Sequence, residues 1–75
     1  MLLLVNDRAY QVGKNTAQAT LKVAHDAVKG TNTIYALEKA GVIEMTKMQF
    51  SSNKELKQAA AKLIKQGFKV RYTMS

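Results

Sequence analysis

The side chains best placed to do chemistry in this sequence are its lysines, and they are unevenly distributed. After Thr46 the chain carries seven basic residues (Lys47, Lys54, Lys57, Lys62, Lys65, Lys69 and Arg71) and one acid, Glu55, a net +6. Up to Thr46 it carries five basic residues (Arg8, Lys14, Lys22, Lys29, Lys39) against four acids (Asp7, Asp26, Glu38, Glu44), a net +1. Cations segregated in this way neutralise phosphates and release their counterions, which is the footprint of a surface that tracks a nucleic-acid backbone. The same field attracts acidic proteins, and a net charge of +7 also keeps a small chain soluble.

Catalytic chemistry has few candidates. His25 is the only histidine, and adjacent Asp26 is expected to point roughly 100° away around a helix, so no dyad is predicted. The five carboxylates are scattered and suggest no acid–base pair or metal cluster. The four glycines fall at turns and helix ends rather than in a phosphate-cradling loop. With no cysteine and one histidine, little is left to ligate zinc. The chain therefore reads as a non-enzymatic binding module that needs neither metal nor cofactor.

Seventy-five residues make one domain, which needs an efficient core to be stable. An apolar content of 47%, no proline and few glycines argue for a folded chain rather than a linker. The run Met1-Leu2-Leu3-Leu4-Val5 is too short for a signal sequence or a membrane span, so a cytoplasmic protein is expected.

The elements that must position the basic residues follow from local pattern. The apolar run at residues 2–5, the turn-forming pair Asn6-Asp7 and residues 9–12 predict a hairpin. Asn15 is the expected N-cap of a helix over residues 16–29, with Ala17, Leu21, Ala24 and Val28 as its buried stripe and Gly30 beyond its end. Residues 31–40 are ambiguous: Ile34, Leu37 and Ala40 have helical spacing, whereas Thr31, Thr33, Ile34 and Tyr35 suit a strand. The helical reading is preferred. Residues 42–50 predict a strand whose alternation breaks near Thr46-Lys47. Ser51, Ser52 and Asn53 offer caps for a helix over residues 53–66, closed by Gly67. Phe68, Val70, Tyr72 and Met74 then alternate with Lys69, Arg71 and Thr73, as in a half-buried strand.

Together these predict an α+β fold, a small two-layer sandwich with helices packed on one face of a short mixed sheet. It would close with a βαβ unit over residues 42–74 whose strands are parallel. A strand at residues 33–37 would instead give a ferredoxin-like βαββαβ order. In a layered fold, Lys54, Lys57, Lys62 and Lys65 line one surface, while Lys69 and Arg71, joined by Lys47, line the other. The two sets come closest at the Gly67 turn.

Residues 53–62, Asn-Lys-Glu-Leu-Lys-Gln-Ala-Ala-Ala-Lys, resemble the second helix of double-stranded RNA-binding domains. The resemblance implies lysines at the helix start reaching phosphates and alanines packing on a sheet. It stops at those ten residues, because that family's sheet lies before the helix and its chain normally ends with it. A helix-turn-helix around Gly30 fits poorly, since Asp26 and Lys39 fall where small or buried residues belong. Phe68 and Tyr72 alternate away from Lys69 and Arg71, which argues against aromatic stacking of bases. The apolar face of the last helix is mostly alanine, which argues against membrane insertion.

The leading expectation is nucleic-acid binding through backbone phosphates by Lys54, Lys57, Lys62, Lys65, Lys69 and Arg71. The alternative is a protein-interaction module, such as a phage or mobile-element accessory or inhibitor protein docking on an acidic host surface. Open sheet edges would also admit a second copy as a homodimer.

Overall fold

A computed structural model describes residues 1–75. Along the chain run strand β1 (Leu2–Val5), strand β2 (Arg8–Gln11), helix α1 (Lys14–Val28), strand β3 (Thr33–Lys39), strand β4 (Val42–Gln49), helix α2 (Asn53–Lys65) and strand β5 (Lys69–Thr73). The strands form one mixed sheet in the order β2-β1-β4-β3-β5. Only β1 and β4 are parallel neighbours; the other pairs are antiparallel. The small α+β sandwich read from the sequence is what forms.

The predicted N-terminal hairpin is present. Asn6 and Asp7 take φ of 51° and 64°, the left-handed pair that a tight two-residue turn between twisted strands requires. The preference for a helix over residues 31–40 is overturned, because this stretch is β3. Five consecutive residues, Thr33 to Leu37, are buried there, so the strand is covered on both faces. Double coverage erases the alternation that marks a strand. It also overrides the helix propensity of Ala36, Leu37, Glu38 and Lys39. With residues 33–39 in the sheet, no recognition helix exists after Gly30.

The layering differs from the expected one. Tyr35 and Ala36 pack with Leu3, Ala17, Leu21, Val28 and Ile43 beneath α1, whereas Ile34 and Leu37 pack with Leu56 beneath α2. Successive strand residues point to opposite faces, and the register shift between Ile34 and Ala36 is what leaves Tyr35 and Ala36 on the same one. The helices therefore cover opposite faces of the sheet instead of sharing one, each over its own apolar cluster. The break in alternation near Thr46-Lys47 is a bulge: three steps on β4, from Met48 to Met45, match two on β3, from Ile34 to Ala36.

β4 and β5 are both antiparallel to β3 and hence parallel to each other, as the βαβ reading expected, but β3 lies between them. The ferredoxin-like alternative gains its second strand in β3. However, the additional reversal at β2 makes β3 run opposite to β1, so the first half is not a split βαβ unit.

Cap chemistry sets the helix ends. α1 starts earlier than predicted, with Gly13 as N-cap and no side-chain cap bond. At its far end the Val28 carbonyl accepts from the Thr31 N–H (3.0 Å) and from the hydroxyl of buried Thr73 (2.9 Å), which ties α1 to β5. That tie inverts the end of the last strand: Thr73 is 8% exposed and Tyr72 is 42% exposed, opposite to simple alternation.

Candidate functional site

Helix α2 is built as a platform. Ser52 caps it, accepting from the Glu55 N–H at 3.2 Å, while the Glu55 carboxylate accepts from the Ser51 hydroxyl at 2.7 Å. At the other end Phe68 N–H donates to the Leu63 carbonyl (3.1 Å) and Gly67 N–H to that of Ile64 (3.0 Å), with Gly67 at φ +96°. This is a Schellman closure, and Leu63 and Phe68 share the apolar cluster beside it. With Leu56 and Ala60 buried, helical spacing turns Lys54 and Lys65 straight outward and sets Lys57 and Lys62 on either flank. All four are exposed.

The Gly67 corner contains a cation that local pattern did not reveal. Lys39, at the end of β3, lays its Nζ 4.9 Å from the centre of the Phe68 ring and donates to the Gln66 carbonyl at 3.0 Å. A cation at a helix C-terminus offsets the negative end of the dipole. No short-range signal could have assigned it, because 27 residues separate the partners. Lys62, Lys65, Lys39 and the exposed Lys69 thus lie about one turn.

The six basic residues singled out from sequence divide as expected between two faces. Lys54, Lys57, Lys62 and Lys65 lie on the α2 side. Lys69 and Arg71 pair with Glu38 and Ala36 and line clefts beneath α1. Arg71 differs from the lysines in its environment. Its side chain is 29% exposed and its Nη2 lies 3.4 Å from the Glu38 carboxylate.

Acids elsewhere are engaged or distant. The acids meet basic side chains in one ion pair, Arg71–Glu38, and one hydrogen bond, His25–Asp26, and neither involves a lysine. Glu55 serves the α2 cap, while Asp7 and Glu44 line a small cleft at the β1–β2 turn. The α2 lysines are therefore uncompensated.

The expectation that His25 and Asp26 would not meet is corrected. Both side chains swing so that His25 Nδ1 lies 3.1 Å from an Asp26 oxygen, a contact their exposure allows. The His25 ring meets Tyr35 edge-on, with centroids 5.9 Å apart. No helix is long and apolar enough to cross a membrane. No protein-family model, curated protein or solved structure matches the chain.

Proposed function

We propose that this protein is a cytoplasmic, non-enzymatic nucleic-acid-binding module whose contacts run from the outer face of α2 and the Gly67 corner to backbone phosphates. The observation that carries the reading is the exposed row Lys54, Lys57, Lys62 and Lys65, none with an ion-pair partner, on one well-capped helix. A fold stabilised by its core has no need of such a row, because isolated surface charges contribute little to stability. Lys54 and Lys65 are about 16 Å apart along the axis. That exceeds the ~12 Å width of a major groove, so the two ends can reach phosphates on both sides of it. Lys39 extends the row at the corner, and Lys69, on the opposite face, adds charge at its edge. Arg71, bound to Glu38 on the other side of the sheet, is not part of this surface.

A second reading draws on one further observation. Ile64, 58% exposed, stands on the flank of the lysine row. An apolar knob among cations suits an acidic protein surface with a hydrophobic pocket, such as a host protein inhibited by a phage or mobile-element product. Binding to DNA and RNA measured across salt concentrations, with Lys57→Glu plus Lys62→Glu and with Ile64→Ser, separates the two. Phosphate binding weakens steeply with salt and with the lysine reversals, and is indifferent to Ile64→Ser. Absence of binding to either nucleic acid at low salt refutes the first reading. A protein partner that no longer binds after Ile64→Ser favours the second.

A further inference from the structure

On the side of the sheet away from α2, a cleft of about 420 Å³ opens between α1 and the β3–β5 edge. Arg71 and Tyr35 belong to its sheet wall, and Gln18, Leu21, Lys22 and His25 to its helix wall. A smaller cleft of about 230 Å³ shares Gln18, Leu21 and Arg71 with it and continues past Glu38 and Lys69. Arg71 therefore stands where the two spaces meet.

The guanidinium there is under-used. Of its five N–H donors, one reaches Glu38 at a long 3.4 Å, and Nε is enclosed with no acceptor. An enclosed donor without a partner is rare in folded proteins, and such atoms often mark a place where a water or ion completes the bonding. Glu38 lines only the smaller cleft, whereas Arg71 lines both. Lys22, exposed across the cleft, adds a second positive charge without an acid partner. Asp26 on the rim is held by His25. Leu21 and the edge-to-face pair His25–Tyr35 supply an apolar wall beside the charges.

From this arrangement we infer that the α1–β5 cleft binds the phosphate group of a small phosphorylated molecule, with Arg71 as the bidentate anchor and Lys22 as the counter-charge. A planar guanidinium matches two phosphate oxygens at once, and a lysine supplies a point charge beside it. The organic part of the ligand would lie against Leu21 and Tyr35. A nucleic-acid backbone is a poor occupant, because Arg71 is only 29% exposed on the sheet wall, where a slim terminal group reaches it best. Nothing in this site depends on the α2 surface.

Titration of the full chain, followed by ¹H–¹⁵N NMR at fixed ionic strength, provides the test. Inorganic phosphate is added in one arm and adenosine monophosphate in the other. The expected result is saturable shifts at Gln18, Lys22, Tyr35 and the Arg71 side chain, with the nucleotide binding more tightly than phosphate. Arg71→Gln should weaken binding about tenfold or more, whereas Lys57→Glu with Lys62→Glu should leave it unchanged. Should Arg71→Gln not fold, Lys22→Glu at its exposed position decides, with an expected loss of several-fold. Shifts that never saturate, shifts centred on α2, or unchanged affinity in a folded Arg71 or Lys22 variant would overturn the inference.

Discussion

Helix α1 buries Ala17, Leu21 and Val28 against one face of the sheet, and helix α2 buries Leu56 and Ala60 against the other. Their solvent sides differ. α1 presents Thr16, Ala19 and Val23 outward, while Lys22, His25 and Asp26 line the larger cleft beside Arg71 and Lys14 the smaller one. α2 presents lysines outward with no acid to meet them. On the α1 side His25 meets Asp26 and Arg71 meets Glu38 within the molecule, and Lys22 stands beside them without an acid partner. Charge on the α2 side is left for something outside it. Composition alone would have assigned both sides to one basic domain.

Substitutions on each side test this contrast. The largest effect is expected from Leu56→Ala, which empties a fully buried site under α2 and should cost about 2–5 kcal/mol in denaturant unfolding. In a domain of this size such a loss approaches total stability, so α2 and its lysine row should unfold with the rest. Gly67→Ala should cost about 1–2 kcal/mol, because an alanine there must adopt φ near +96°. Space is not the obstacle, since the nearest atom to an added Cβ is Lys39 Cε at 3.5 Å. On the α1 side, Thr73→Val removes the hydroxyl that reaches the Val28 and Thr31 carbonyls, each at 2.9 Å. About 1 kcal/mol should go with it, seen as a lower denaturation midpoint at unchanged slope. Smallest of all, Lys57→Glu with Lys62→Glu should move stability by no more than about 0.5 kcal/mol. A large loss from the lysine pair would mean that α2 uses its charge for folding, and the contrast between the two sides would fail.

Much of this fold was legible in the sequence. Asn6-Asp7 named its turn, the caps offered at Ser51, Ser52 and Asn53 and the stop at Gly67 bounded α2, and the four α2 lysines fell on one helical face as their spacing implied. Strand β3 was not legible, for two physical reasons. Burial on both faces removes the period of two from β3. The β3–β4 turn is made by Ala40 at φ 52° and Gly41 at φ 78°, and alanine in a left-handed position carries no turn signal. Once β3 is a strand, the sheet is covered on both sides and the helices must separate. At the candidate site, the missing members were those joined across long stretches of sequence. Lys39 meets the end of α2 only after folding, and Arg71 finds Glu38 only across two strands.

Whether α2 carries its charge for phosphates is decided by affinity for duplex DNA and RNA as a function of salt. Wild type is compared with Lys57→Glu plus Lys62→Glu, both shown to be folded. The expected result is a linear fall of log affinity with log salt, and a slope that shrinks by roughly 0.9 for each phosphate the variant no longer neutralises. Equal affinity and equal slope in the two proteins, or no binding by wild type at low salt, would refute it.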